Sequence, residues 1–204
     1  MLRLLAGLAA LLALAGPLSL AGALAAQPRL EVAVFAGGCF WSMEHDMERV
    51  PGVVAVVSGY AGGQVAHPTY EQVSSETTGH LESVKVTFDP ARISYAGLVE
   101  RYWHMIDPTD AGGAFCDRGS SYHSGIFVSG PDQRRIAEAS LAALRRGPLG
   151  GRVVTPVRDA TVFWPAEAYH QHYADRHPVD YAAYRLGCGK DRRLRQIWGE
   201  QALR

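Results

Sequence analysis

The chain has 204 residues and carries 20 basic and 20 acidic side chains, so its formal net charge at neutral pH is zero. No basic patch precedes Arg192-Arg193, and this balance argues against nucleic acid as a partner. The length is enough for a leader segment and one domain with a sizeable hydrophobic core.

The first residues have the pattern of a secretory signal peptide. Arg3 supplies a positive charge at the start, and residues 4–24 consist of Leu, Ala and Gly with one Pro and one Ser. The segment ends in small residues around Ala23 to Ala25, the pattern that a signal peptidase recognises. We therefore predict cleavage after Ala25 or Ala26.

A membrane-spanning helix is the alternative, because the apolar stretch is just long enough to cross a bilayer. Gly16-Pro17 near its middle and the small residues at its end favour the signal peptide. Under this interpretation residues 1–25 are removed, residues 26–204 form a single domain, and the protein is periplasmic or secreted.

The rest of the sequence predicts strands that alternate with helices. Short apolar or β-branched runs predict five strands, at Val32–Phe35, Val53–Val57, Ser83–Phe88, Ser124–Val128 and Val157–Phe163. Caps and apolar spacing predict four helices, at Trp41–Arg49, from Ser94 to about Ile106, from Pro131 to Gly147 and at Ala166–Arg176. Segments 59–78 and 107–119 are predicted to be mostly loop.

The order of the elements indicates the fold class. It starts strand–helix–strand–strand–helix–strand and continues with further strand and helix pieces, which is typical of an α+β fold. We therefore predict a two-layer α/β sandwich with a ferredoxin-like core.

Cys39 lies where the first strand meets the first helix. Gly37-Gly38 makes a tight turn before it, and the helix is predicted to start at about Phe40. Free N–H groups and the dipole at a helix N-terminus favour an anion, so this position favours a thiolate. A buried structural cysteine is the alternative. Phe40 and Trp41 weigh against it, because two large rings beside such a turn are best placed to form the wall of a pocket.

The chain has three cysteines, Cys39, Cys116 and Cys188. An exported protein meets oxidising surroundings, so one structural disulfide and a leftover thiol would be the simplest arrangement. An odd number of cysteines also indicates that at least one thiol has a chemical role. We predict that Cys39 is a redox-active nucleophile.

The run Gly37-Gly38-Cys39-Phe40-Trp41 resembles the active-site motif of the A-type peptide methionine sulfoxide reductases. Further fragments of that family follow in the same order, namely Pro68-Thr69-Tyr70, Thr78-Gly79-His80-x-Glu82, Asp107-Pro108, Asp117-x-Gly119-x-x-Tyr122 and Ala168-Tyr169-His170-Gln171-x-Tyr173. Each fragment alone is weak evidence, but the series is strong, and it covers the chain from about Val32 to Tyr173.

The resemblance implies a role for each matching residue. Cys39 matches the nucleophile that attacks the sulfoxide sulfur and becomes a sulfenic acid. Glu82 matches the acid that protonates the sulfoxide oxygen, and a carboxylic acid kept protonated in a pocket suits that task. Judged on its own surroundings in the sequence, Glu82 would be an ordinary exposed residue at the end of a strand.

Three further polar residues match groups that surround the sulfoxide oxygen in this family. Tyr70 and Tyr122 match phenols that hydrogen-bond the sulfoxide oxygen, although a packed tyrosine with a satisfied hydroxyl is the alternative for each. Asp117 matches a loop carboxylate beside the site, with a turn residue as its alternative.

Phe40, Trp41 and His170 match substrate-binding positions, the two rings holding the S-methyl group in an apolar cradle. For His170, a supporting hydrogen bond and a metal ligand are the alternatives. His170 and His172 are two residues apart, which on a helix places them on different faces, and the chain has no Cys-x-x-Cys. We therefore predict no metal, and the sequence contains no dinucleotide motif, so we expect no cofactor.

The cysteine that regenerates Cys39 is the main open question. Many family members carry two recycling cysteines in a Gly-rich tail, whereas this tail has only Cys188, between Gly187 and Gly189. We assign Cys188 as the resolving thiol and expect the glycines to give it mobility, with an inert cysteine as the alternative. Cys116 could compete as the resolver, act as a second recycling cysteine, or be buried.

The resemblance thus implies a single catalytic domain whose C-terminal tail carries the resolving cysteine. It implies reduction of methionine S-sulfoxide, in proteins or free, through a sulfenic acid and an intramolecular disulfide. A thioredoxin-like dithiol would be the electron donor, and we expect a monomer. A cysteine protease is a poorer match, because the chain has no Asn to complete its site. An exported binding module with one structural disulfide is the non-enzymatic alternative.

Overall fold

The structure, a computed structural model, describes residues 29–202. Its eight strands are β1 (Glu31–Ala36), β2 (Val53–Ala61), β3 (Leu81–Phe88), β4 (Gly113–Ala114), β5 (Asp117–Arg118), β6 (Gly125–Val128), β7 (Val157–Asp159) and β8 (Trp164–Pro165). Its seven α-helices are α1 (Phe40–Glu48), α2 (Tyr70–Ser74), α3 (Tyr95–Trp103), α4 (Pro131–Arg146), α5 (Tyr173–Arg176), α6 (Pro178–Cys188) and α7 (Lys190–Trp198). The predicted signal peptide lies outside the described residues.

Six strands form one sheet in the order β7-β6-β1-β3-β2-β8, and β4 and β5 form a separate hairpin. Neighbours in the large sheet are antiparallel, except that β6 and β7 are parallel. Its four central strands, β6-β1-β3-β2, with α1 following β1 and α3 following β3, have the ferredoxin-like topology. The predicted α+β sandwich is therefore confirmed.

The two faces of the sheet are buried differently, because successive side chains of a strand point to opposite faces. On β1, Ala33 and Phe35 belong to the main core, which also contains residues of α1, whereas Ala36 belongs to a smaller cluster. On β3, Val84 belongs to the main core. Glu82 has the same parity as Val84, so it points to the face covered by α1.

Several elements are confirmed close to their predicted limits. Ser94 caps α3 by accepting a hydrogen bond from the backbone of Gly97 at 3.1 Å, and Pro131 opens α4 at its first turn. The strand predicted at Val53–Val57 is longer than predicted and continues to Ala61, into the segment predicted to be loop, because its pairing with β3 extends to Leu81.

Two predicted elements are shorter in the structure. The strand predicted at Val157–Phe163 ends at Asp159, where its pairing with β6 ends. The helix predicted at Ala166–Arg176 contains only the single turn of α5. The preceding residues form a turn fixed by Gln171, whose side chain both accepts from and donates to the backbone of Ser58, at 3.0 Å in each case.

The C-terminal segment is helical rather than a mobile Gly-rich tail. Asp46 on α1 accepts hydrogen bonds at 2.8 Å from Arg185 on α6 and from Lys190 at the start of α7. Lys190 is only 2% exposed, and removing one member of a buried ion pair is strongly destabilising. The cluster therefore fixes both C-terminal helices against the helix that follows Cys39.

Within residues 29–202, no helix combines the length and the apolar character that crossing a membrane requires.

Candidate active site

Cys39 is the N-cap residue of α1, directly after the turn that follows β1. Gly38 has a φ of +88°, and a Cβ there would lie 2.6 Å from the Cβ of Ala114, so both the backbone angle and the close approach require glycine. The backbone carbonyl of Cys39 accepts from Ser42 and Met43 in the first turn of α1. The sequence thus places the thiol at a helix N-terminus, as predicted.

Glu82 is joined to this helix end by a hydrogen bond across the fold. The backbone N–H of Phe40 donates to Oε2 of Glu82 at 3.0 Å, over a separation of 42 residues. Glu82 is 3% exposed, so it is not the exposed strand-end residue that its local sequence suggests. Burial raises the pKa of Glu82 to about 8, with a further contribution from the charge of Asp117.

The thiolate predicted for Cys39 is wrong for the resting structure. Burial and the neighbouring Glu82 carboxylate raise the pKa of the Cys39 thiol, so the neutral form dominates at neutral pH. The hydroxyl of Tyr184 and the backbone N–H of Trp41 lower this pKa but do not reverse the shift. A helix N-terminus alone therefore does not ionise a thiol that is 9% exposed beside a carboxyl group.

The structure brings Tyr70 and Tyr122 together on the same site. Tyr70 is the first residue of α2, whose N-terminus is closed by a capping box between Thr69 and Gln72. Its hydroxyl lies near that of Tyr122, and both phenols lie close enough to Glu82 and Cys39 to sense their charges. Burial raises the pKa of both phenols, so each keeps its proton and can donate it in a hydrogen bond.

Tyr184 on α6 completes the surroundings of the thiol, and sequence reasoning missed it. Its hydroxyl donates to Oδ2 of Asp117 at 2.6 Å and lies close enough to Cys39 to lower the pKa of the thiol. Burial raises the pKa of Tyr184, which keeps it protonated. Tyr184 and Cys188 lie one helical turn apart, a spacing that would have indicated a shared face if α6 had been predicted.

Aromatic rings surround the helix end that carries Cys39. Phe40 is buried against His170 and Tyr60, with ring centroids 4.9 and 5.9 Å away. Trp41 stacks on Tyr173 at 3.7 Å and meets the edge of Tyr184 at 6.0 Å. The rings therefore form a wall around this helix end, to which α5 and α6 contribute, although Phe40 is itself buried within the wall at 1% exposure.

His170 is fixed within this wall. The indole N–H of Trp41 donates to Nδ1 of His170 at 3.1 Å, which leaves the proton of the neutral ring on Nε2. Burial lowers the pKa of His170 and so favours the neutral ring. Nε2 is buried and has no hydrogen-bond partner among residues 29–202.

Cys116 and Cys188 form a disulfide with Cα atoms 4.8 Å apart, and Cys39 is a free thiol. The prediction that Cys188 is mobile is wrong for the structure with this disulfide. Cys188 ends α6, and Gly189 connects α6 to α7 in a left-handed conformation. Cys116 is exposed rather than buried, and its sulfur lies 3.7 Å from Asp117. The disulfide is thus connected to Cys39 through Asp117 and Tyr184.

A free thiol beside a carboxyl group held neutral, with an exposed disulfide next to it, defines a thiol-dependent oxidoreductase built on an α+β sandwich. Residues 31–202 match the family model described as "Peptide methionine sulfoxide reductase". The chain therefore belongs to the peptide methionine sulfoxide reductase family, and it reduces methionine sulfoxide to methionine.

Individual relatives agree with this assignment. The chain is 53% identical to "Peptide methionine sulfoxide reductase MsrA 2" of Caulobacter vibrioides over 199 residues, which cover 98% of this chain and 100% of the relative. It is 48% identical to the MsrA of Bacillus licheniformis over 172 residues, which cover 84% of this chain and 95% of the relative.

Solved structures also share the fold. The methionine sulfoxide reductase A of Corynebacterium diphtheriae superposes with a TM-score of 0.66 at 31% identity, over 76% of this chain and 78% of that one. Reduced Mxr1 of Saccharomyces cerevisiae superposes with a TM-score of 0.68 at 27% identity, over 74% of this chain and 87% of that one.

Because Tyr184 lies next to the buried Cys39 thiol, we expect this thiol to be alkylated slowly. With the disulfide intact, we expect iodoacetamide to react with Cys39 at least about tenfold more slowly than with a cysteine in a model peptide, because little thiolate is present. Tyr184→Ala should accelerate the reaction, because it opens access to the sulfur. Mass spectrometry of the Cys39 peptide measures the rate.

Leu186→Ala is the matched control, because Leu186 lies on the same helix and is 83% exposed. It should leave the alkylation rate unchanged. Equal rates for the wild type and the model peptide would contradict the closed geometry of the site.

Proposed function

We propose that Cys39 is the nucleophile and Glu82 the proton donor in the reduction of methionine S-sulfoxide, in proteins or as the free amino acid. The observation that carries this proposal is the buried Glu82 carboxyl group, which is bonded to the first N–H of the helix that Cys39 caps. Its pKa of about 8 supports a neutral acid at physiological pH, which is the form able to donate a proton.

In the first step the Cys39 sulfur attacks the sulfoxide sulfur while Glu82 protonates the sulfoxide oxygen. The S–O bond of the substrate breaks and the oxygen passes to Cys39 as a sulfenic acid. The substrate sulfur gains two electrons and the Cys39 sulfur loses two. The proton of the Cys39 thiol restores Glu82, so the net reaction converts a thiol and a sulfoxide into a sulfenic acid and a thioether.

Tyr70 and Tyr122 are proposed to hold the sulfoxide oxygen. Two phenols that keep their protons can both donate to an oxygen on which negative charge develops, and such positioned donors stabilise a transition state. Asp117 is proposed to position Tyr184 next to Cys39 through their 2.6 Å hydrogen bond.

Phe40, Trp41 and His170 are proposed to bind the rest of the methionine. The rings of Phe40 and Trp41 offer apolar surface to the S-methyl group, once the Tyr184 side chain turns away from the edge of Trp41. The unpartnered Nε2–H of His170 supports a contact with a substrate acceptor, because a buried donor without a partner costs free energy.

We propose that Cys188 resolves the sulfenic acid. Its thiol attacks the Cys39 sulfur, which releases water and forms a Cys39–Cys188 disulfide. Cys116 then attacks the Cys188 sulfur, which frees Cys39 and leaves the Cys116–Cys188 pair. The disulfide of the structure and its free Cys39 fit the end of this sequence.

The exposed disulfide supports a thioredoxin-like dithiol as the electron donor. Cys116 is exposed and Cys188 is partly buried, so a donor thiolate can reach the Cys116 sulfur first. Exchange would form a mixed disulfide with Cys116, release Cys188, and end with both cysteines reduced and the donor oxidised. We propose that the protein works as a monomer without a bound cofactor.

Replacing Glu82 with Gln should slow the first turnover about 10²–10⁴-fold, the usual contribution of a general acid. In the wild type the first-turnover rate should fall as the pH rises through about 8, because Glu82 is protonated below its pKa and ionised above it. Rapid-quench measurement of methionine formed per enzyme, as a function of pH, tests both effects.

Glu138→Gln on the exposed face of α4 is the control and should behave as the wild type does. The amide oxygen introduced by Glu82→Gln still offers an acceptor to the Phe40 N–H, so folding is preserved. A first-turnover rate that is unchanged in Glu82→Gln would remove Glu82 from the mechanism.

The three cysteines should be distinguishable by single substitutions to Ser. Cys39→Ser should abolish the release of methionine. Cys188→Ser should release one equivalent and then stop with a thioredoxin-type donor. Cys116→Ser should accumulate the Cys39–Cys188 disulfide, which peptide mapping after one turnover detects. Normal multiple turnover in Cys188→Ser would transfer the resolving role to Cys116.

We further propose that residues 1–25 are a signal peptide and that the mature enzyme is periplasmic or secreted. The charged start, the apolar stretch and the small residues before Ala26 support export. N-terminal sequencing of the mature protein should begin at Ala26 or Gln27. Protein that keeps Met1 and fractionates with membranes would instead support the membrane-spanning alternative.

A further inference from the structure

A second cluster of ligand-type side chains lies on the same helix as Cys39. Glu44 and Glu48 are one turn apart on α1 and face His172, which precedes α5. Nδ1 of His172 lies 2.8 Å from Oε1 of Glu48 and 3.9 Å from Oε1 of Glu44. One ligand atom from each of the three residues lies within 4.8 Å of the others.

Glu44 is the unusual member of the cluster, because it is 1% exposed. Its Oε2 accepts a hydrogen bond from the backbone N–H of His172 at 2.8 Å. Its Oε1 is buried and has no hydrogen-bond partner in the described part of the chain. A buried carboxylate oxygen without a hydrogen bond is costly, and Nδ1 of His172, 3.9 Å away, is too far to supply one, so this oxygen has room for a closer partner.

We propose that Glu44, Glu48 and His172 bind a divalent transition-metal ion of the Zn²⁺ type. Donor atoms that share a zinc ion lie about 2.0–2.2 Å from it, so they are at most about 4.4 Å apart. The distances of 2.8 and 3.9 Å from Nδ1 of His172 satisfy this limit, and because all three ligand atoms lie within 4.8 Å of one another, side-chain adjustments of a few tenths of an ångström are enough for the third pair. The ion would replace the direct contact between His172 and Glu48 and supply the orphaned oxygen of Glu44 with a partner.

The donor set favours a transition metal over Ca²⁺ or Mg²⁺. Those two ions prefer sites made only of oxygen, whereas an imidazole nitrogen with carboxylates suits Zn²⁺. Glu44 is almost fully buried while His172 is exposed, so the ion can enter from solvent and keep water in its remaining coordination positions.

The site would connect two parts of the reductase. Glu44 and Glu48 belong to the helix that Cys39 caps, and His172 follows the turn that carries His170. Because a bound ion stabilises only the folded protein, it would hold this helix and this turn together and raise the thermal stability. His170, two positions before His172, does not join the cluster, because its ring is buried against Phe40 and Trp41.

The competing arrangement is a hydrogen bond between the Glu44 carboxyl group and the hydroxyl of Ser58, which is also buried and lies beside Glu44. In that arrangement Glu44 is satisfied within the protein and needs no ion. The metal site predicts that His172 and Glu48 determine the affinity for the ion. The hydrogen bond with Ser58 predicts no such dependence.

The test is a titration of the mature protein with Zn²⁺ by calorimetry and with Co²⁺ by absorption spectroscopy. The protein carries Cys39→Ser and an intact Cys116–Cys188 disulfide, so that no free thiol competes for the metal. We expect one equivalent to bind and to raise the melting temperature. His172→Gln and Glu48→Gln should each weaken the affinity at least about tenfold, a usual consequence of losing a ligand or its support.

Glu100→Gln is the matched control. Exposed Glu100 on α3 pairs with His104, the buried residue that follows the helix, with Oε1 and Nε2 3.7 Å apart, but no third ligand-type group joins that pair in the described residues. The control should bind metal as the unsubstituted protein does. The proposal is overturned if no ion binds, or if His172→Gln and Glu48→Gln bind as tightly as the control. These outcomes leave the role of Cys39 untouched.

Discussion

The hydrogen bond between the Phe40 N–H and the Glu82 carboxyl group is the contact on which the site depends. It joins the start of α1 to β3, so the nucleophile and the proposed acid are held together by the packing of a helix on the sheet. Glu82 is buried because it shares the inward face of β3 with Val84. The burial that raises the pKa of Glu82 therefore follows from the alternation of side chains between the two faces of β3.

Local sequence was sufficient to predict the turn, the helix start and the central strands. Gly37-Gly38 could be interpreted without the fold, because a tight turn with a positive φ favours glycine, and Gly38 has a φ of +88°. The burial of Glu82 could not be predicted from its local sequence, because it depends on α1, whose Phe40 N–H bonds Glu82 from 42 positions away. Only the family resemblance identified Glu82, Tyr70 and Tyr122 before the structure did.

Prediction from the sequence failed most in the C-terminal segment, and the cause is physical. Gly187 and Gly189 indicate mobility on propensity alone. The helices α6 and α7 are instead held by tertiary contacts, above all by Arg185 and Lys190 on the single carboxylate of Asp46. Such contacts leave no periodic signal in sequence. They bring Tyr184 onto Cys39, which is why this residue was missed.

The neutral Cys39 thiol is consistent with the proposed chemistry once protons are counted. Reduction of one sulfoxide by two thiols yields a thioether, a disulfide and water, and both protons of the water come from the thiols. Glu82 therefore only carries a proton from Cys39 to oxygen. When Glu82 is protonated its charge no longer opposes a thiolate, so the proton that activates the substrate oxygen also makes ionisation of Cys39 easier. The shared burial of the two groups thus couples the nucleophile to the acid.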